Sequence, residues 1–257
     1  MARIISITNQ KGGVAKSTTA YALAAALHNE NYKVLLIDMD AQGNLTDTIL
    51  ADNISSNMIT TYDVLLKSAP IGDSIIKSDK CDLIPASLEL SGADMELTAV
   101  GKEHRLRKAL EPIKENYDFI IIDTPPALGV LTINALTAAD EVLIPAQADV
   151  YSLQGIGQLY NTVQAVKEYC NAKIKIAGIL LTRYNGRTKI SKNVFEMTRQ
   201  TAQQIGTKMF NTVIRECTVI KEAQAENKDL FTFAKNSNAA EDYMKFTKEF
   251  LEGEKNE

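Results

Sequence analysis

The stretch that decides the fold begins at Arg3 and reads RIISITNQKGGVAKSTTA. Its first six residues, Arg3–Thr8, contain three isoleucines and do not alternate strictly between apolar and polar, which is typical of a strand covered on both faces. A short loop containing Gly12 and Gly13 follows, and a helical pattern then extends from Ser17 to Asn31. A loop that turns from a buried strand into a helix directs backbone N–H groups and the positive end of the helix at a bound anion. The sequence therefore predicts an anion site at this loop.

The side chains of the loop suit the phosphates of a nucleotide. Gly12 and Gly13 allow close backbone approach and positive φ. Lys16 would neutralise the β- and γ-phosphate oxygens, and the hydroxyl of Ser17 is placed to ligate Mg²⁺. The predicted phosphate-binding residues, which become ATP-binding residues under the resemblance given below, are Lys11, Gly12, Gly13, Val14, Ala15, Lys16, Ser17 and Thr18.

The loop departs from the strict pattern G-x4-G-K-[ST], because Gln10 and Ala15 stand at its two glycine positions. Taken alone, the loop also fits a glycine-containing turn with two exposed lysines. Its position between a strand and a helix favours the phosphate loop.

Aspartates at the ends of two further strand candidates complete the predicted site. Asp38 and Asp40 lie at the carboxyl end of Lys33–Asp38, and Asp123 ends a second apolar run. Ligands of open α/β sheets bind at the carboxyl ends of strands, so these carboxylates are expected to face the phosphate loop. Asp123 fits the role of holding Mg²⁺ through a water molecule. The alternative is that each aspartate caps the turn that follows it.

Strand and helix patterns alternate along the whole chain, which predicts a doubly wound, mostly parallel α/β sheet flanked by helices. No repeat and no Pro-, Gly- or Ser-rich linker is present, so residues 1–257 are expected to form a single domain. The predicted strands are Arg3–Thr8, Lys33–Asp38, Asp82–Pro85, Asp118–Asp123, Glu141–Pro145, Ile174–Thr182 and Lys208–Ile214. The predicted helices are Ser17–Asn31, His104–Asn116, Leu153–Tyr169, Ile190–Ile205 and Ala239–Leu251, the last capped by Ser237 or Asn238.

Composition excludes several classes of protein. The chain has 257 residues, a formal charge of −4 and 45% hydrophobic residues, which is ordinary globular composition. Only two histidines are present, so a histidine metal site or a Ser-His-Asp triad is not expected. Three cysteines without CxxC spacing favour a reducing compartment. No secretory h-region and no apolar stretch of ~18 residues is found, so a cytoplasmic protein without a membrane partner is expected.

Three segments together carry a family resemblance: NQKGGVAKSTT from Asn9, LLIDMDAQGN from Leu35 and FIIIDTPP from Phe119. In this order and spacing they resemble the ParA/Soj group of deviant Walker A ATPases, which includes MinD, over almost the whole chain. The resemblance implies a P-loop NTPase fold, ATP and Mg²⁺ as cofactors, and slow hydrolysis of ATP that awaits a stimulating partner.

The resemblance also implies roles for individual residues. Lys11 would reach across an ATP-sandwiched homodimer to the partner's phosphates, and Asp40 would position or activate the attacking water. The implied catalytic residues are Lys11, Lys16 and Asp40, and the implied metal residues are Ser17, Asp123 and Asp38. The turn Thr124-Pro125-Pro126 would sense the γ-phosphate.

Two residues depart from the family pattern, which usually has Gly at position 15 and Pro at position 41. Ala15 is expected to be tolerated at helical φ, but a positive φ would cost on the order of 1 kcal/mol. Ala41 is expected only to loosen a turn.

The segment from Lys173 to Lys221 is strongly basic, with ten Lys or Arg residues against Glu196 and Glu216. A basic face attracts the DNA backbone without reading its sequence, although solvated helix faces are the ordinary explanation of such a run. ParA-like proteins bind DNA through this region, which favours non-specific DNA binding and nucleoid association. The DNA-binding candidates are Arg187 and Arg215, followed by Lys189, Lys192, Arg199 and Lys221.

These observations favour a partition ATPase with a ParB-like centromere-binding partner, and they leave three alternatives. The first is a ParA-like ATPase that positions a protein cargo. The second is a MinD-like membrane regulator, which the acidic residues near the C-terminus disfavour. The third is an iron–sulfur protein of the same fold, which the cysteine spacing disfavours. Small-molecule kinases and dethiobiotin synthetase-like ligases share the loop, but they usually lack a lysine at the position of Lys11. Operator binding is not expected, because no N-terminal helix-turn-helix domain precedes Arg3.

Overall fold

A six-stranded parallel sheet forms the centre of the molecule in the computed structural model, which describes residues 1–55 and 57–253. The strand order is β3-β2-β4-β1-β5-β6, and every neighbouring pair is parallel. This arrangement confirms the predicted doubly wound α/β class. The strands are β1 (Arg3–Ile7), β2 (Val34–Asp38), β3 (Asp82–Ile84), β4 (Phe119–Asp123), β5 (Glu141–Gln147) and β6 (Lys175–Thr182).

The predicted strand at Lys208–Ile214 is wrong. Its backbone bonds to β6 only near Ile179 and again where Ile214 N donates to Leu181 O at 2.9 Å. Between these points the N–H groups of Asn211 and Thr212 donate to the carboxylate of Glu249, at 2.6 Å and 2.8 Å, and not to β6. Glu249, in the last helix, thus accepts hydrogen bonds from backbone N–H groups that in a strand could have bonded to the sheet.

Helices cover both faces of the sheet. In chain order they are α1 (Lys16–Asn29), α2 (Asn44–Leu50), α3 (Thr61–Leu66), α4 (Ala93–Glu96), α5 (Arg105–Leu110), α6 (Val130–Ala138), α7 (Val150–Tyr169), α8 (Lys189–Gln204), α9 (Val219–Ala225), α10 (Leu230–Phe233) and α11 (Asn238–Glu252).

The long helices match their predictions to within three residues at each end, and the short ones differ more. The helix predicted at His104–Asn116 is correct only for α5, since Pro112 lacks the N–H that a continuing helix requires. Helices α2, α3, α4, α6, α9 and α10 were not predicted. Ser237 caps α11 by accepting a hydrogen bond from Ala240 N at 3.2 Å. The acidic sequence of Glu252–Glu257 also predicts a frayed tail, but residues 254–257 lie outside the described residues.

Apolar clusters on the two faces fix the sheet between its helices. Helices α1 and α11 share one cluster with β1, β2 and β4, in which Tyr243, Phe246 and Phe250 are fully or almost fully buried. The ring of Phe210 lies 5.0 Å from that of Phe246 in an edge-on arrangement that suits two aromatic rings. Across the described residues, no helix is both long and apolar enough to cross a membrane.

The backbone just before α1 has an unusual conformation. Ala15, the N-cap residue of α1, has φ 68° and ψ 37°, so the chain adopts the left-handed conformation that glycine tolerates best. Because this φ is positive, Ala15 is expected to carry the conformational strain of on the order of 1 kcal/mol given above.

Replacing Ala15 with Gly is expected to raise the free energy of unfolding, by up to about 1 kcal/mol, because the gain from relieving left-handed strain exceeds the lost chain entropy. Thermal or urea unfolding of the nucleotide-free protein measures the change. Ala24→Gly, inside α1, is the matched control and is expected to lower the same quantity by about 1 kcal/mol. Equal destabilisation by both substitutions would contradict the assignment of strain to Ala15.

Candidate phosphate and metal site

The loop between β1 and α1 has the shape of an anion cradle. Gly13 (φ 74°) and Ala15 (φ 68°) are both left-handed, with Val14 between them. Alternation of this kind turns successive N–H groups towards one side of the backbone. No side chain caps the amino end of α1, so its first N–H groups and its positive dipole end are available to an anion.

Side chains from other elements hold the loop from behind. Asn9 Oδ1 accepts the N–H of Lys11 at 2.9 Å, and Asn9 Nδ2 donates to the carbonyl of Pro145 in β5 at 2.7 Å. Thr182, at the end of β6, donates its hydroxyl to Val14 O at 3.1 Å. These contacts fix the loop to the carboxyl ends of β5 and β6.

Lys16 lies inside the site rather than on its surface. Its side chain is buried at 7% exposure, and Nζ is 3.4 Å from the carbonyl of Lys11. Burial lowers the pKa of Lys16, while the negative charges of Asp123 and Asp40 oppose that shift. The structure therefore brings together the lysine and two of the aspartates that the sequence assigned to one site.

Asp38 and Asp123 lie side by side at the ends of β2 and β4, where they are paired in register. Both are fully buried. Burial raises the pKa of Asp38 to about 6, against hydrogen bonds from Thr46 and from the N–H of Asp40. Burial and the neighbouring charge of Asp38 raise the pKa of Asp123 well above its ordinary range, although Ser17 and Lys16 act in the opposite direction.

The two aspartates differ in their hydrogen bonds. Asp38 accepts from Thr46 N at 2.9 Å and Thr46 Oγ1 at 2.8 Å through one oxygen, and from Asp40 N at 3.0 Å through the other. Neither buried oxygen of Asp123 has a hydrogen-bond partner of ordinary geometry among the described residues. Asp38 is therefore already held by three hydrogen bonds, whereas the Asp123 oxygens interact only weakly with the Ser17 hydroxyl and can bind a cation.

The donor set fits Mg²⁺. Magnesium is bound by oxygen, and in nucleotide sites it takes one or two carboxylates together with substrate phosphates and water. Asp123 and the hydroxyl of Ser17 offer such oxygens beside the cradle, and Asp38 would act from behind them. Within the described ranges, no cluster of three or more His, Cys, Asp or Glu side chains offers a metal site of another kind.

Asp40 lies at the edge of the site and is half-exposed. Its Oδ1 accepts the N–H of Gln42 at 3.1 Å, and its carbonyl accepts that of Gly43 at 2.9 Å. The turn that leads into α2 is therefore built on Asp40. On the other side of the site, Thr124 donates its hydroxyl to Ile7 O at 2.9 Å, which ties the Thr124-Pro125-Pro126 turn to β1.

Lys11 forms an ion pair with Asp149, a residue that the sequence did not single out. Asp149 caps α7 by accepting the N–H of Ser152 at 3.0 Å. Partial burial would raise the pKa of Asp149, but the hydrogen bonds from Lys11 and Ser152 hold it below its ordinary value. The ammonium of Lys11 is thus directed towards α7 in this structure.

The basic residues of the C-terminal half do not form one continuous face. Lys175 begins β6 and Thr182 ends it, so Lys175 lies roughly 25 Å from the phosphate loop, given about 3.3 Å per strand residue. Lys208 lines the same cleft as Lys175 and Glu141 at that far end of the sheet. Among the DNA candidates, Arg187, Lys189, Lys192 and Arg199 are exposed, either in the turn after β6 or on α8, and Lys221 is exposed on α9.

Arg187 and Arg215 have different surroundings. The N–H of Arg187 donates to Asn185 Oδ1 at 3.1 Å, which places the residue in an ordered, exposed turn. The guanidinium of Arg215 is engaged by Asp242 at 2.6 Å and by Glu241 at 3.0 Å. To contact DNA, Arg215 would have to leave these carboxylates. The structure therefore favours Arg187, and the DNA-binding assignment itself stays a prediction.

The raised pKa values predict how stability depends on pH without nucleotide and Mg²⁺. A carboxyl group whose pKa is higher in the folded than in the unfolded protein lowers the free energy of unfolding as pH rises from the unfolded-state pKa to the folded-state pKa. Asp123→Asn is therefore expected to stabilise the protein more at pH 7.5 than at pH 5, as measured by urea unfolding at both pH values. Exposed Asp73→Asn is the control and should show no such difference. An Asp123→Asn effect that is independent of pH would contradict the buried-charge assignment.

Comparisons with known proteins agree with this geometry. Residues 2–176 match the family model described as AAA domain. The sporulation initiation inhibitor protein Soj of Bacillus subtilis is 42% identical over 97% of this chain and 98% of its own length. Among solved structures, cobyrinic acid a,c-diamide synthase from Mycobacterium smegmatis, with a bound ATP analogue and magnesium, superposes with a TM-score of 0.85 at 32% identity, covering 99% of this chain and 96% of that one.

A plasmid partition protein from Borrelia burgdorferi bound to AMPPNP superposes with a TM-score of 0.82 at 30% identity, covering 98% of both chains. The sequence relatives and the structural neighbours thus agree over nearly the full length. The chain belongs to the ParA/Soj-type partition ATPases, a group with the P-loop fold and a deviant Walker A loop.

Proposed function

We propose that this chain hydrolyses ATP with Mg²⁺ and uses the bound nucleotide to control its dimerisation and its hold on DNA during partition. The observation that carries the proposal is the pair of unpartnered Asp123 oxygens beside the phosphate loop and Lys16. A buried carboxylate with no hydrogen-bond partner costs free energy unless a cation compensates it. Asp123 and Ser17 would hold a Mg²⁺ ion that supplies this compensating charge, and the N–H groups of the loop would bind the phosphates.

The phosphate-binding step follows from the loop geometry. The left-handed backbone at Gly13 and Ala15 directs N–H groups at the phosphates, and the amino end of α1 adds its dipole. The buried ammonium of Lys16 offsets the charge that develops on the phosphoryl oxygens. Phosphoryl transfer needs little covalent chemistry from a protein, so this positioning and charge stabilisation are its main catalytic means.

Mg²⁺ supplies charge neutralisation when bound, and Asp123 and Ser17 would hold it. Asp40 is assigned to the attacking water, since it is half-exposed at the rim and lies near enough to raise the pKa of Lys16. Its backbone hydrogen bonds fix the turn but leave one carboxylate oxygen for a water molecule.

Lys11 is assigned to the partner subunit's nucleotide. In this structure its ammonium pairs with Asp149 at the amino end of α7 instead of entering the loop of its own chain. Both side chains are partly exposed, at 29% and 27%, so the pair is weak and can exchange for the stronger charge of a triphosphate. We infer that dimerisation replaces this ion pair by contact with the phosphates across the interface.

DNA binding is assigned to the exposed cations around the turn after β6 and on α8. Contacts from such residues to phosphates release counterions and confer affinity without sequence preference. The ATP-bound form would be found on the nucleoid in the cytoplasm, and its release from DNA would follow ATP hydrolysis stimulated by a ParB-type partner.

The alternatives differ in what α11 does. A membrane regulator would need a basic amphipathic helix near its end, whereas α11 carries Glu241, Asp242 and Glu249 engaged in contacts to other residues. The apolar face of α11 packs in the core through Tyr243 and Phe246. This helix therefore has neither the charge nor the free apolar face for lipid. A protein cargo in place of DNA stays open as a variant of the same ATPase.

The first test concerns ATP turnover. Lys16→Ala is expected to abolish detectable ATP binding, and Asp40→Ala is expected to retain binding while lowering DNA- and partner-stimulated turnover at least about a hundredfold. Isothermal titration with an ATP analogue and a phosphate-release assay measure the two effects. Unchanged turnover in Asp40→Ala would remove Asp40 from the reaction, and normal affinity in Lys16→Ala would remove the loop.

The second test concerns DNA. Arg187→Ala is expected to weaken binding of duplex DNA to the ATP-analogue form and to lower the slope of log Kd against log salt by about one, as loss of one phosphate contact requires. Arg215→Ala is expected to change DNA affinity less and to lower the melting temperature, since Asp242 loses its partner. Equal losses of DNA affinity in both variants would contradict the structural distinction between them.

A further inference from the structure

Arg183 contacts the phosphate loop although 170 residues of sequence separate it from Gly13. Its Nη1 donates to the carbonyl of Gly13 at 3.2 Å. The preceding residue, Thr182, donates its hydroxyl to the next loop carbonyl, that of Val14, at 3.1 Å. Two successive loop carbonyls are therefore held from outside by the end of β6.

The backbone of Arg183 is strained. Its φ is 50°, a left-handed value that costs an L-residue roughly 1–2 kcal/mol. Strain of this kind persists where the surroundings require it, and it concentrates at functional sites. Within residues 1–55 and 57–253, no carboxylate forms an ion pair with Arg183. Its charge is therefore directed at the phosphate loop rather than neutralised.

Beyond Arg183 the chain is ordered and leads directly to Arg187. Tyr184 N donates to Ile214 O at 3.0 Å, and Glu216 N donates to Tyr184 O at 3.1 Å. The ring of Tyr184 lies 6.0 Å from that of Phe195 in α8. The turn of residues 184–188 is thus attached to α8 and to the segment at Ile214, and Arg183 attaches it to the phosphate loop.

We propose that Arg183 couples the turn of residues 184–188 to the phosphate loop, so that nucleotide binding and DNA binding strengthen each other. This inference rests on the proposed function. A triphosphate in the cradle requires the loop N–H groups to point inward and the carbonyl of Gly13 to point outward. In that orientation the carbonyl accepts the hydrogen bond from Arg183. The nucleotide thereby fixes Arg183 and, through it, the position of Arg187. Arg183 is a positioning residue, since its contact is to a carbonyl and not to a reacting atom.

Coupling between two ligands is reciprocal, which makes it measurable from either side. The experiment determines the Kd of a fluorescent AMPPNP derivative, with Mg²⁺, in the presence and absence of saturating duplex DNA. The ratio of the two Kd values is the coupling factor. It is measured for the wild type, for Arg183→Ala and Arg183→Gln, and for Arg107→Ala, an exposed arginine of α5 that serves as the control.

The wild type is expected to show a coupling factor of at least about fivefold, the lower end for allosteric proteins. Arg183→Ala is expected to reduce the factor to near one and to weaken analogue binding several-fold without DNA. Arg183→Gln keeps a donor for Gly13 O and is expected to recover part of the coupling, which a loss of charge alone would not allow. Arg107→Ala is expected to match the wild type.

Three results would overturn the inference. The first is an unchanged coupling factor in Arg183→Ala, and the second is a uniform loss of DNA affinity with the factor preserved, which would make Arg183 a simple DNA contact. The third is a wild-type factor of one. That result would remove the coupling and leave the proposed ATPase and DNA-binding activities standing. If Arg183→Ala fails to fold, Arg183→Gln decides. A coupling factor equal to that of the wild type would then overturn the inference, because a neutral donor is expected to recover only part of the coupling.

Discussion

Two carboxylates buried side by side impose the constraint on which the rest of the site depends. Asp38 and Asp123 end neighbouring strands in register, with no solvent exposure. Burial raises the pKa of both carboxyl groups, and the charge of Asp38 adds to the rise at Asp123, so the pair cannot be fully ionised without compensation. Lys16 supplies part of the compensation. In the proposed function, a divalent cation bound together with a triphosphate would supply the rest.

The strand order creates this meeting of charges. Strand β1 lies between β4 and β5, and β2 lies on the other side of β4. The loop after β1 and the aspartates that end β2 and β4 therefore come from adjacent positions along one edge of the sheet. Strands β5 and β6 add Pro145 and Thr182 from the opposite direction, and these support the loop through Asn9 and Val14. A doubly wound sheet places its binding crevice at an edge of this kind.

The features that could be predicted from the sequence are those encoded by residues close together in the chain. The buried strands were found because runs such as FIIID leave little alternative to a strand covered on both faces. The loop residues and strand-end aspartates were found because motif and position lie within a few residues of each other. Helix α6 was missed, since it is buried on nearly all sides and so lacks an amphipathic period. The false strand at Lys208–Ile214 had a strand-like pattern, and nothing in the sequence indicated that two of its N–H groups donate to the distant Glu249.

The contacts that escaped prediction join residues far apart in sequence. Asp149 meets Lys11, and Arg183 meets Gly13, across 138 and 170 residues. No periodicity or spacing in the chain connects such pairs. Both pairs place a cation near the phosphate loop. The local motif therefore predicts the position of the nucleotide site, whereas only the tertiary fold reveals the cations beside it.

The most direct measurement is isothermal titration of a non-hydrolysable ATP analogue into the wild type and Asp123→Asn, each with and without Mg²⁺. If the buried carboxylate pair requires a cation, Mg²⁺ raises the affinity of the wild type at least about tenfold, a gain of about 1.4 kcal/mol, and the gain disappears in Asp123→Asn. An equal enhancement by Mg²⁺ in both proteins would contradict the account.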